Sequence, residues 1–251
     1  MSYTDIHFHL LPGVDDGPAT LDESVELAAA AFAEGTRTIV ATSHVRSDFF
    51  TAVEELPGRV REVRAALARR EIAVDVVCGG ELGHEMVGRL GQTQLDLIAQ
   101  GPPGGRWLLV ETPFGGLDEE FTAATDELRD RGFGVVVAHP ERAADRDGSR
   151  WRALRYELAQ GSVLQVNALS LAGRHGLEAA AVARRLVREG RADVIASDAH
   201  GALRQPALLL GRDWAALAEV TRRRADTLIR ANPRRLLECG VAVPLHARVS
   251  Y

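Results

Sequence analysis

Apolar residues in this chain fall into short continuous runs, separated by longer segments in which apolar positions recur every three or four residues. The runs are the stretch from Tyr3, Thr38-Ile-Val-Ala-Thr, Ala73 to Cys78, Trp107 to Val110, Gly134 to Ala138, Val163 to Val166 and Asp193 to Ala196. Each is short enough for a strand and near-continuously apolar, as expected of a strand buried on both faces. Between them the pattern predicts helices from about Leu21 to Glu34, Val53 to Arg70, Leu117 to Arg131, Arg150 to Gln160 and Leu177 to Glu189. Thr20 with Glu23 forms a capping box for the first of these, and Gly35 stops it. From Arg212 onward the tail reads as helices, with Asn232 as a cap and Pro233 in the first helical position. Seven such strands joined by helices predict a parallel sheet covered on both faces. No linker, repeat or low-complexity segment interrupts the chain, which predicts one domain over residues 1–251.

The polar residues at the ends of these runs are not a random set. His7 and His9 close the first, and two residues apart in a strand they share a side. A turn-rich loop then carries Asp15 and Asp16. The later runs lead to His44, Glu81, Glu111, His139, Asn167, and finally Asp198 with His200. Five of the eight histidines lie at these ends. Functional residues at the C-terminal end of every strand place a site at the mouth of a barrel. An open doubly wound sheet would gather its ligands at one switch point, whereas here first and last strands both contribute.

Imidazole and carboxylate ligands without thiolate suit manganese, iron or zinc, and are too rich in nitrogen for calcium. The candidates exceed what one ion can use, so two or three ions are expected, with Glu81 or Asp198 as a bridge. Such ions bring the pKa of bound water toward about 7 and hold phosphate oxygens as charge moves. Arg142 follows His139 by three residues and Arg204 follows His200 by four, which puts two guanidinium groups at the rim, where they suit a phosphate. Spacing alone leaves Asp15 and Asp16 open. His84 reads as a solvated or supporting residue, His175 and His246 as exposed, and Arg222 to Arg224 as a solvated face.

Composition narrows the chemistry. A net charge of −5 argues against a general nucleic-acid binder. All 30 basic residues are arginine, which removes Schiff-base chemistry, a lysine base and a carboxylated-lysine metal bridge. Cys78 and Cys239 are isolated and neither starts a Cys-x5-Arg loop, so a thiolate route to phosphate hydrolysis is absent; both read as reduced structural thiols. No apolar run reaches the roughly 18 residues of a spanning helix, and no signal-peptide core is evident. A cytoplasmic location is the expectation.

Taken together, Asp5-Ile-His-Phe-His-Leu-Leu-Pro-Gly-Val-Asp-Asp-Gly-Pro18, Ala41-Thr-Ser-His44, Gly80-Glu81, Leu109-Val-Glu111, Val137-Ala-His-Pro-Glu-Arg142, Leu164-Gln-Val-Asn167 and Ala196-Ser-Asp-Ala-His200 resemble the polymerase and histidinol phosphatase (PHP) family. Within it they resemble the manganese-dependent bacterial protein-tyrosine phosphatases of capsule and exopolysaccharide operons. The resemblance implies a distorted (β/α)7 TIM-like barrel of the PHP fold with three metal ions. One ion would use His7, His9, Glu81 and Asp198. A second would use Glu81, Glu111 and His139, and a third Asp16, His44 and His200. Arg142 and Arg204 would match phosphate-binding arginines. The implied substrate is phosphotyrosine, in particular that of a bacterial tyrosine autokinase. After His44 the chain departs from relatives, reading Val-Arg-Ser-Asp-Phe-Phe where a basic, glycine-containing loop is common. Rival readings are a small-molecule phosphomonoesterase of the histidinol-phosphatase type, an amidohydrolase-like deacylase, and a non-catalytic metal-stabilised interaction module.

Overall fold

The computed structural model describes residues 2–49, 52–145, 148–217 and 220–242; His246 lies outside them. In order the elements are β1 (Tyr3–Phe8), α1 (Leu21–Glu34), β2 (Thr36–Ala41), β3 (His44–Val45), α2 (Leu56–Arg69), β4 (Asp75–Cys78), β5 (Glu81–Gly83), α3 (Gln92–Ile98), β6 (Trp107–Glu111), α4 (Glu119–Asp130), β7 (Gly134–Ala138), α5 (Ser149–Ala159), β8 (Val163–Asn167), α6 (Ala168–Leu171), α7 (Leu177–Arg188), β9 (Val194–Ala196), α8 (Leu208–Leu217), α9 (Arg222–Ile229) and α10 (Ala231–Cys239). Every ladder pair is parallel, in two sets: β1-β2-β4 and β3-β5-β6-β7-β8-β9.

The sets are one arrangement of seven staves, because β2 continues into β3 and β4 into β5. Each of those two staves breaks once, at Thr42-Ser43 and at Gly79-Gly80. The breaks stay stitched: Gly79 N donates to Ala41 O (3.0 Å) and Glu81 N to Ser43 O (3.0 Å). At Gly79 a Cβ would stand 2.6 Å from Val40 Cγ1, so only glycine permits this close approach. The last stave returns to the first by a single bridge, Phe8 with Ala199. Asp198 N also donates to His7 O and His9 N to Ala199 O, both at 2.9 Å. The α/β barrel expected from the pattern is therefore present in distorted form.

Alternation along the strands separates two cores. Val40, Leu109, Val136, Ala138, Val194 and Ala196 point inward, and Trp107, Leu236 of α10 and Val241 close that inner cluster. Their chain neighbours Ile39, Leu108, Val110, Val135, Val137 and Ile195 point outward against the helices. Trp107 is wholly buried, and its indole N–H is satisfied by Leu236 O at 3.0 Å.

The capping box on α1 is present, with Glu23 N donating to Thr20 Oγ1 (3.2 Å), Thr20 N donating to Glu23 Oε2 (3.3 Å) and Gly35 at φ 102°. The expected Asn232 cap is not. α10 starts at Ala231, and the Asn232 amide instead donates to Asp193 O at 2.6 Å, tying the tail to the entrance of β9. With the helix begun one residue earlier, Asn232 lies inside its first turn, and its amide N–H serves the strand-entrance carbonyl. The Val53–Arg70 segment is also split, with one 3-10 turn at Val53–Glu55 before α2.

Candidate metal centre

Each strand end delivers its polar residue to one buried cluster. His7, His9, Glu81, His139 and Asp198 are at most 2% exposed, and Glu111, His44 and His200 only slightly more. The His7 Nε2 and His9 Nε2 atoms face each other at 3.3 Å. Both also approach Glu81 Oε2 (3.2 Å each) and Asp198 Oδ1 (3.3 and 3.4 Å). A cation with bonds of about 2.0–2.1 Å in tetrahedral surroundings sets its ligand atoms about 3.3–3.4 Å apart. Five of the six edges of such a figure are already present among these four atoms.

Neighbouring groups fix which nitrogen faces inward. His7 Nδ1 lies 3.0 Å from Gln165 Oε1, His9 Nδ1 2.7 Å from Asp15 Oδ2, and His200 Nδ1 2.8 Å from the Asp198 carbonyl. These oxygens accept, so each Nδ1 carries the proton and each Nε2 lone pair turns to the centre, as metal-binding imidazoles require. The chain of contacts closes on itself. Gln165 Nε2 donates to Asn167 Oδ1 (3.0 Å), and Asn167 Nδ2 donates to Asp198 Oδ2 (2.7 Å).

Three groupings could each hold an ion: His7, His9, Glu81 and Asp198; His9, Asp16, His44 and His200; and His44, Glu81 and Glu111. The first coincides with the set implied by the family resemblance, and the second adds His9 to its trio. The third differs. Glu111 gathers with His44 rather than His139, and His139 Nε2 lies 2.8 Å from the other Glu81 oxygen. The cause is Arg46, whose Nη1 donates to both Glu111 oxygens (2.9 and 2.8 Å) while Nε and Nη2 grip Asp48. That draws Glu111 to the Arg46 side. Arg46 belongs to the departing Val-Arg-Ser-Asp-Phe-Phe stretch, and spacing gave no sign of it.

Electrostatics favours a cation here. Burial would push the Glu81 and Asp198 carboxyls up, but the imidazoles around them, His7 foremost, hold both well below the usual range. Burial likewise works against charge on His7, yet Glu81 and Asp198 raise it. Glu111 is pushed to about 7 by burial and by the adjacent Glu81. The metal-free centre thus keeps Glu81 and Asp198 ionised by borrowing protons on imidazoles, the protons that a bound metal ion replaces.

His139 (φ 36°) and Asp198 (φ 54°) are two of the three non-glycine residues in the left-handed region among the described residues. Each such backbone costs of order 1–3 kcal/mol and persists only where surrounding structure imposes it. At the rim, Arg142 Nη1 donates to Asp198 Oδ2 (3.1 Å), and Arg204 pairs with Asp16. Asp16 accordingly lies at the site, near His200 Nε2 (3.1 Å) and His44 Nε2 (3.4 Å). Asp15 lies behind it, against His9. His175, expected to be exposed, is half-buried against Ser170 Oγ (2.8 Å), and burial lowers it to about 4, with Arg142 adding to the shift.

A parallel α/β barrel with a buried imidazole–carboxylate cluster across its strand ends defines a metal-dependent hydrolase. Residues 3–238 match the capsular polysaccharide synthesis family CpsB/CapC, and the chain belongs to that family. It is 33% identical over 200 residues to the tyrosine-protein phosphatase YwqE of Bacillus subtilis, covering 78% of this chain and 76% of that one. Identity to the putative tyrosine-protein phosphatase CapC of Staphylococcus aureus is 28% over 209 residues, 82% and 80% of the two chains. A solved structure from work on YwqE of B. subtilis and CpsB of Streptococcus pneumoniae, metal-dependent tyrosine phosphatases, superposes with a TM-score of 0.78 at 26% identity over 94% of both chains.

Proposed function

We propose that this chain, acting as one domain over residues 1–251, hydrolyses phosphotyrosine in a protein substrate, and that manganese fills the site. The observation that carries the reading is the buried convergence of His7, His9, Glu81 and Asp198, whose ligand atoms meet at 3.2–3.4 Å along five edges, flanked by Arg142 and Arg204. When bound, the metal supplies a nucleophilic hydroxide at neutral pH and charge against the phosphate oxygens. The chain's own residues do the rest. Asp15, Gln165 and the Asp198 carbonyl hold the imidazole tautomers, and Asn167 orients Asp198. Arg142 presents N–H groups to an anion at the rim. A substrate of the tyrosine-autokinase type fits membership of a capsular polysaccharide family. A cytoplasmic site of action is part of this reading; among the described residues no helix is long and apolar enough to cross a membrane. Replacing His7 or Asp198 with alanine is expected to lower bound metal and abolish phosphate release from a phosphotyrosyl peptide. Full activity in both variants would sink the assignment.

A further inference from the structure

Phe114 is out of place for a phenylalanine in this fold. Phe8, Phe121 and Phe133 are at most 1% exposed, whereas Phe114 is 49% exposed. Nor is it loosely held. Its loop is turned by Gly116 N donating to Pro113 O (3.1 Å) and pinned by Ala144 N donating to Phe114 O (3.0 Å). The ring lies at the mouth of the metal centre. The Arg142 guanidinium carbon stands 4.6 Å from its centroid, and the His139 ring is nearly parallel at 6.2 Å. Two cavities meet at Phe114, one of about 360 Å³ reaching Arg46 and Glu111, the other of about 450 Å³ lined by Arg142 and His175.

We infer that Phe114 is the platform for the substrate's aromatic ring and sets the preference for aryl over alkyl phosphates. The inference rests on the phosphatase reading and deepens it. A phosphate gripped by Arg142 brings whatever it is esterified to within reach of Arg142's own aromatic neighbour. In a tyrosyl ester the phenyl ring begins one ester bond from phosphorus, so it meets the open part of the Phe114 ring in an offset or edge-on contact. A seryl ester offers no ring there. Arg142 and His139 cover part of the ring and leave the rest open, as a platform for a second ring requires.

The test is binding of benzylphosphonate, whose methylene stands in for the ester oxygen, and of propylphosphonate to manganese-loaded protein by titration calorimetry, for wild type, Phe114→Leu and Phe114→Tyr. Wild type should favour the benzyl ligand. That preference should fall roughly two- to tenfold in Phe114→Leu, the range set by one aromatic pair, and return in Phe114→Tyr. Equal weakening of both ligands would overturn the inference, since Phe114 would then only prop Arg142. An unchanged preference in Phe114→Leu would overturn it as well. Failure of the parent reading looks different: wild type would then bind neither phosphonate.

Discussion

Asp15 holds three N–H groups with two oxygens. Oδ2 accepts from His9 Nδ1 (2.7 Å) and from His44 N (2.9 Å), and Oδ1 accepts from Gly17 N (2.9 Å). The carboxyl lies below its ordinary range: burial pushes it up, and the bond and charge from His9 together with the Gly17 and His44 N–H groups more than offset that. Asp15→Asn keeps the shape and removes one acceptor. Whichever way the amide turns, its NH2 faces either Gly17 N–H or the pair from His9 and His44, and a buried donor without a partner costs about 1–3 kcal/mol. The cost falls on the group that aims His9 Nε2 at the centre and on the backbone that positions His44. Loss of such a supporting contact typically weakens metal affinity 10–100-fold, or about 1.4–2.7 kcal/mol. Titration calorimetry of metal-stripped protein with manganese reads this directly, and circular dichroism checks that the fold persists. An affinity within twofold of wild type would refute the argument that Asp15 orients His9.

Arg129 is buried between Glu157, Asp126 and Ser162, and Glu157 is fully buried. Arg129→Met strands that carboxylate, at a cost of about 3 kcal/mol, so thermal unfolding should shift down by roughly 6–12 °C; a shift under about 3 °C would show the pair is replaceable. His175 stays neutral in the fold down to about pH 4, while the unfolded chain protonates it near 6.5. The unfolded state therefore binds more protons across that window, and stability falls as pH drops through it. His175→Gln removes this contribution, so its melting temperature should fall less between about pH 7 and 5 than that of wild type; equal falls would contradict the assignment.

What the sequence made legible was whatever depends on local period and on strand ends. The apolar runs marked the seven staves, and the Thr20, Glu23 and Gly35 signals placed α1 to the residue. The parallel barrel delivers every run's terminal residue to one face, which is why nine residues scattered from His7 to His200 meet in a single cluster. What was not legible depends on distances across the fold. The breaks at Thr42-Ser43 and Gly79-Gly80 answer to close contact between neighbouring staves, which no periodicity encodes. Asn232 has the right identity for a cap, but the helix begins one residue earlier. Arg46 acts through a side chain that reaches another loop, and Asp15, in view beside Asp16, supports His9 from behind; a spacing pattern assigns neither role. Phe114 looks like one more core residue until the loop that exposes it is seen.

The most direct test of the central claim is phosphate release from a tyrosine-phosphorylated peptide, run beside histidinol phosphate, using protein stripped of metal and then given manganese. Manganese-dependent release from the peptide, with little from the small molecule, is the predicted result. Release from histidinol phosphate alone, or from neither substrate, would contradict it.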